Sequence, residues 1–226
     1  MKKPILPVIL LSLVTACTVF SLAFLPELRA LVTAGSHTAE QLEQMQQQNR
    51  QQMAETAFSL TGMVFNSLTT AQAAALDAKL MSEAEAVDIV LGRMGAPACS
   101  TDFERNKNEV TEHIATVYIL KDLFKYRLNV LFEQAKADYK ALPPDSRSSL
   151  TELSGLLSKY GDIAKVLENE CNERMDAICA RLDTLLPLVG GDGNITQRIK
   201  YIYAQEKHLT KSYYMDMYAG KLAEIS

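Results

Sequence analysis

Three cysteines, a glutamate–histidine pair and a concentration of tyrosines are the side chains best equipped for chemistry, and their spacing decides how far each can go. Cys171 and Cys179 lie eight positions apart on one predicted helix. That is about 12 Å of axial rise, too far for a disulfide between them. In an oxidising compartment Cys99, beside Pro97, would pair with one of the two, leaving the third free or paired between chains. A reduced core thiol is the competing reading for Cys171, which falls on an apolar stripe. No Cys-x-x-Cys and no zinc-ligand spacing occurs, so thiol redox catalysis and a structural zinc are not expected. Glu109 and His113 stand at i,i+4, and Glu112 directly precedes the histidine. A di-iron centre in a helical bundle needs Glu-x-x-His on two facing helices. This spacing is wrong for it, no second motif exists, and the other histidines are His37 and His208. The pair reads as a surface contact.

With three histidines, no Gly-x-Ser-x-Gly and no phosphate-cradling glycine loop, acid–base and nucleophilic catalysis have no assembled set of residues. Neither enzymatic activity nor a cofactor is expected. The tyrosines point instead to contact. Five of the nine fall between Ile195 and Ile225. Tyrosine joins apolar area to a polar tip and favours interfaces, so Tyr201, Tyr203, Tyr214 and Tyr218 form a candidate partner face. The other reading is a terminal helix docked on its neighbours, with tyrosines at the boundary.

The segment that would position all of these is the N-terminus. Pro4 to Pro26 is uncharged and mostly apolar, preceded by Met1, Lys2 and Lys3, and a helix of about 20 such residues spans the hydrocarbon core of a bilayer. The expected membrane contact runs through residues 5–25. Three readings stay open. In an uncleaved signal anchor, Ile5 to Leu25 remains in the membrane with Lys2 and Lys3 on the cytoplasmic side. In a lipoprotein signal, Val14-Thr15-Ala16-Cys17 places an aliphatic and two small residues ahead of a cysteine, which resembles a lipobox and makes Cys17 the lipidation candidate. In a removed signal peptide, Ser21-Leu22-Ala23 supplies small residues for cleavage. Each delivers the remainder to the far side. The expected location is the cell envelope, as an inner-membrane-anchored body facing periplasm or exterior or as a lipoprotein, or else the protein is secreted.

Residues 38–226 keep 20 of the 23 Lys and Arg and 26 of the 27 Asp and Glu, a formal net charge of −6. An acidic body without clustered cations does not bind nucleic acid by counterion release, so no nucleic-acid partner is expected. Protein partners or a second copy are. The chain has no Trp and few aromatics, and its Ala, Leu, Met, Gln and Glu favour helices.

The expected fold is all-α: an antiparallel bundle of three to four long helices, with an N-terminal membrane-targeting helix and a Gln-rich helical arm. Capping-box patterns start helices at Thr38, Ser82, Thr101, Ser149 and Asn194. Breaks fall at Gly92–Pro97, Leu142–Ser146 and Pro187–Asn194. Residues 1–37 form the targeting segment, 38–98 the arm and amphipathic helices, and 99–226 the bundle, with a hairpin over 101–186 and a C-terminal helix over 195–225. In the arm only Leu42, Met45 and Met53 are apolar between Gln41 and Met53, which reads as a solvated or coiled-coil-like stalk. The uncharged stretch Thr56 to Leu76 reads as packed helix bent near Gly62. Phe103, Val110, Ile114, Val117, Phe124, Leu128, Leu131, Ala135 and Leu142 give the clearest seam. Leu150, Leu153, Leu157, Tyr160, Leu167, Cys171, Ile178, Leu182 and Leu185 repeat it.

The run from Gln41 to Gly62, glutamines followed by Ser59-Leu60-Thr61-Gly62, resembles in composition the helical periplasmic or pilus-tip subunits of type IV secretion and conjugation systems. The likeness spans 22 residues and carries no residue roles. The expected function is a non-enzymatic interaction or assembly component of the cell envelope, with a secretion or conjugation apparatus as one setting. The alternative is an extracytoplasmic ligand-binding or sensing domain with an apolar cavity.

Overall fold

A computed structural model describes residues 36–147 and 149–223, without the side chains of 150, 153, 157, 215 and 217–223. The membrane-targeting stretch and Cys17 lie outside the described residues, as do the side chains of Leu150, Leu153, Leu157 and Tyr218. Among the described residues all regular structure is helical: α1 Ala39–Thr61, α2 Thr70–Asp77, α3 Glu83–Leu91, α4 Asp102–Ala141, α5 Leu150–Leu185 and α6 Asn194–Ala223. Short 3-10 turns occupy Pro144–Ser146 and Leu186–Val189. No helix among these residues is long and apolar enough to cross a membrane.

The starts follow side-chain capping. Thr38 Oγ1 accepts from the Gln41 backbone N–H at 3.2 Å, and Gln41 Oε1 accepts from the Thr38 N–H at 2.8 Å. The same reciprocal box forms at Ser82 with Glu85 and at Thr101 with Glu104. Two expected boxes do not form. Ser149 makes no side-chain cap bond, and at α6 the acceptor is Asp192, whose Oδ1 takes the Asn194 N–H at 3.0 Å. An unforeseen box at Thr69 with Gln72 opens α2.

Between Thr38 and Met94, where helix starts at Thr38 and Ser82 and a bend near Gly62 were expected, three helices form. Gly62, at φ +73°, closes α1 in the left-handed conformation, which ends a helix instead of bending it. Residues 63–69 then run irregularly, held where the Leu68 N–H donates to Asp122 Oδ2 at 2.8 Å and the Asn66 N–H to the Val90 carbonyl at 2.8 Å. Gly92, at φ +62°, closes α3 in the same way.

Helix α4 is the central element and touches each of the other five. Its seam buries Val110, Ile114, Val117, Leu120, Leu123, Phe124, Leu128, Leu131 and Ala135, while Phe103 lies outside the core, 53% exposed. Helix α5 contributes Cys171, Met175, Ile178, Leu182 and Leu185. Ion pairs flank the two helices in opposite residue order: Asp138 with Lys159 at 2.7 Å, Arg127 with Glu170 at 3.1 Å, Glu109 with Arg181 at 2.6 Å.

Of the two readings of α1, the solvated stalk does not hold and the coiled-coil-like one fits. The helix packs along α6 and buries Leu42, Gln46, Asn49, Met53, Thr56, Ala57 and Thr61. Positions 42, 46, 49, 53 and 56 alternate by four and three, the spacing of a coiled-coil seam. The seam was hidden because Gln46, Asn49 and Thr56 occupy inward positions, and a count of apolar residues passes over them.

Candidate interaction groove

Near its N-terminal half α1 stands away from α4, and the gap between them over α6 is a groove of ≈ 670 Å³. Each wall is one helical face. Glu43, Gln46, Gln47 and Arg50 come from α1, Lys125, Asn129, Phe132 and Glu133 from α4, and Thr210, Tyr213 and Tyr214 from α6. Spacings of three, four and seven put each set on a single side of its helix, so the groove follows the helix axes.

Its α1 wall is fixed by a buried polar layer. Asn49 Nδ2 donates to the Ile202 carbonyl at 3.1 Å and to Glu206 Oε2 at 2.9 Å, and Arg50 Nε lies 3.9 Å from Glu206 Oε1. Glu206 is only 7% exposed, so Asn49 and Arg50 supply the compensation a buried carboxylate requires. Arg50 Nε also donates to the Gln46 carbonyl at 3.2 Å, which holds the guanidinium along the rim. On the adjoining face of α6, Lys207 is buried with Glu168 at 3.7 Å and an Asn172 oxygen as neighbours, and it lies over the Tyr203 ring at 5.3 Å. Burial pulls the Lys207 ammonium below its ordinary pKa, and Glu168 opposes that shift. Glu168 also receives Lys211 at 2.6 Å. Helix α6 is thus keyed by charge on two sides.

The tyrosines do not share one face. Tyr201 is 62% exposed, whereas Tyr203, two residues on, is in the core. Tyr203 lies against the Cys171 thiol, and burial raises its pKa. Tyr214 reaches the groove, where its hydroxyl donates to Asn129 Oδ1 at 3.3 Å and its ring sits 5.6 Å from that of Phe132. Tyr213 meets Tyr214 edge to face at 5.8 Å and lines the groove with it. The Tyr218 side chain lies outside the described residues. Sequence reasoning missed Lys125, Asn129 and Tyr213 as groove residues. Only the positions of α1 and α6 on either side of Lys125 and Asn129 mark them, and single-helix periodicity does not encode that.

Cys99, Cys171 and Cys179 are free thiols, and the expected link from Cys99 is not formed. Cys179 lies two residues from Arg181, which binds Glu109 of α4. Cys99 precedes the cap residue Thr101, eight residues and about 12 Å of rise short of Glu109. Burial raises the pKa of both Cys171 and Cys179. His113 is half-buried where α3, α4 and α5 meet, its Nε2 3.7 Å from Glu109. Burial holds the imidazole below its ordinary pKa, with Glu109 opposing. Arg181 binds Glu109, and Arg93 binds Glu112 and Asp88, so the carboxylates around the histidine are engaged in ion pairs. Among the described residues no group of three His, Cys, Asp or Glu side chains is placed to hold a metal ion.

No family model, curated protein or solved structure matches this chain.

Proposed function

We propose that this chain is a non-enzymatic helical-bundle protein, tethered to or exported across a membrane through residues 5–25, that serves as an interaction or assembly component of the cell envelope. The observation that carries the reading is the groove between α1, α4 and α6, open to solvent and lined by charged, amide and ring side chains. Groups of that kind make an interface: rings give area with little entropy to lose, and amides and charges give orientation. The uncharged stretch before α1 supports the tether, because it precedes α1 closely in sequence and is long enough to cross a bilayer.

Cell fractionation combined with photo-crosslinking tests this reading. A photoreactive residue at Gln47, on the exposed rim of the groove, is expected to give discrete adducts in the membrane or extracytoplasmic fraction. The same group at Glu173, exposed on α5, is expected to give none. Full-length protein in the cytosol, with no adduct from Gln47, contradicts the proposal. A second reading, the ligand-binding or sensing domain, draws support from the same cavity, but its polar lining favours a polar ligand over the apolar one expected from the sequence.

A further inference from the structure

The lining of the groove narrows the chemistry of what it takes, on the premise that the groove is the contact site proposed above. Glu43 on the α1 wall and Lys125 on the α4 wall are exposed and have no ion-pair or hydrogen-bond partner among the described residues. Opposite charges on opposite walls, both unspent, match a ligand that carries one cation and one anion. The amides add a second requirement. Asn129 uses its oxygen for the Tyr214 hydroxyl at 3.3 Å, which leaves its NH₂ group to donate. Gln47 lines the same space and has both a donor and an acceptor available. A peptide bond, with one N–H and one carbonyl, satisfies such a pair. Tyr213 and Tyr214, edge to face at 5.8 Å, supply the third element, ring surface for a planar or apolar side chain.

We propose that the groove binds a short peptide segment bearing one cationic and one anionic group beside an aromatic side chain, with the anion at Lys125 and the cation at Glu43. A volume of ≈ 670 Å³ lies within the range that accommodates drug-sized ligands, about three to five residues of peptide. A neutral glycan would stack on the same rings but leave both charges unmatched. The two charges belong to side chains within a segment of a partner protein, the occupant that the interaction reading above calls for.

Calorimetric titration of the full chain in detergent micelles separates that occupant from a free oligopeptide with three probes. The first is alanyl-phenylalanyl-alanine with free termini. The second is lysyl-phenylalanyl-alanyl-glutamate capped at both ends, and the third is alanyl-phenylalanyl-alanine capped at both ends. Binding of the second supports the proposal, whereas binding of the first alone marks a free oligopeptide as the occupant and overturns it. The capped neutral peptide is expected to bind at least about tenfold more weakly than the second probe. Lys125→Glu and Glu43→Lys should each weaken binding of the second probe by about tenfold or more. The double reversal should restore binding to within about threefold, because the peptide then lies in the opposite sense. Both substituted positions are exposed, and unchanged thermal melts by circular dichroism would show that the fold is retained. Binding of neither charged probe, or equal binding of the neutral one, overturns the proposal. If that happens while the Gln47 adducts persist, the peptide class falls and the interaction reading stands.

Discussion

Helices α4 and α5 are joined through an apolar seam with ion pairs at its edges, whereas α1 and α6 are joined through a seam with polar residues at its centre. In the first pair Phe124, Leu128, Cys171, Ile178 and Leu182 are buried, and Arg127, Lys159 and Arg181 bridge the flanks in partial exposure. In the second, Leu42, Met53, Ile202 and Leu209 alternate with Gln46, Asn49, Thr56 and Glu206, all buried. An apolar seam contributes stability and tolerates several registers. A buried Asn–Glu layer contributes less and penalises each register that leaves the carboxylate without a donor. The difference suits their places in the molecule, since α4 and α5 build the core while α1 is the wall whose position sets the groove.

Truncation in the apolar seam should give the largest effect. Phe124→Ala, at a fully buried position, is expected to cost about 3–5 kcal/mol in urea denaturation. A loss below about 1 kcal/mol would mean that α4 does not hold the core. The polar seam should respond less and in a more diagnostic way. Asn49→Ala leaves Glu206 without its nearest donor and should cost about 1–3 kcal/mol. Replacing both residues by leucine should recover most or all of that loss, because a well-packed apolar pair matches or exceeds a buried polar one. If the double variant is as unstable as Asn49→Ala alone, the layer is not the coupled unit described here. Next in size is Gly62→Ala, expected to cost about 1–2 kcal/mol because a side chain is forced into left-handed backbone at φ +73°.

The contrast between the two seams also explains what was legible in the sequence. Helix α4 was readable from Val110 to Ala135 because its inward residues are apolar and recur at three and four. The starts at Thr38, Ser82 and Thr101 were readable because a hydroxyl and a Glu or Gln three residues later form a local device that needs no tertiary information. Asp192 displaced Asn194 as the cap of α6 through its loop geometry. The coiled-coil-like reading of α1 left its partner unnamed, because Gln46 and Asn49 look solvated until Ile202 and Glu206 are opposite them. The groove was less legible still, since its three walls come from helices far apart in sequence. Tyr213 and Tyr214 were visible as a concentration of tyrosine, but the division that sends Tyr203 to the core and Tyr201 to solvent depends on the direction from which α1 and α5 approach α6.

The smallest expected effect concerns His113, which belongs to neither seam. Burial favours its neutral form, so its folded pKa lies below the ordinary 6.5, and the unfolded chain takes up a proton first as pH falls. Its contribution is therefore intact above pH 6.5 and declines as pH drops through that value toward the folded one. Between pH 7.5 and 5.5 the native chain should lose more stability than His113→Gln, as followed by urea midpoints. Equal losses would place the imidazole in a solvent-like environment.

Native-state hydrogen exchange of α1, read by mass spectrometry on the full chain, tests the account most directly. If the Asn49–Glu206 layer fixes α1 as a wall of the groove, amides from Met45 to Leu60 exchange as slowly as those of α6 from Ile199 to Leu209, and Asn49→Ala accelerates them without affecting α4 near Phe124. Exchange of Met45 to Leu60 at unprotected rates in the native chain would contradict it, making α1 a free arm and removing the groove.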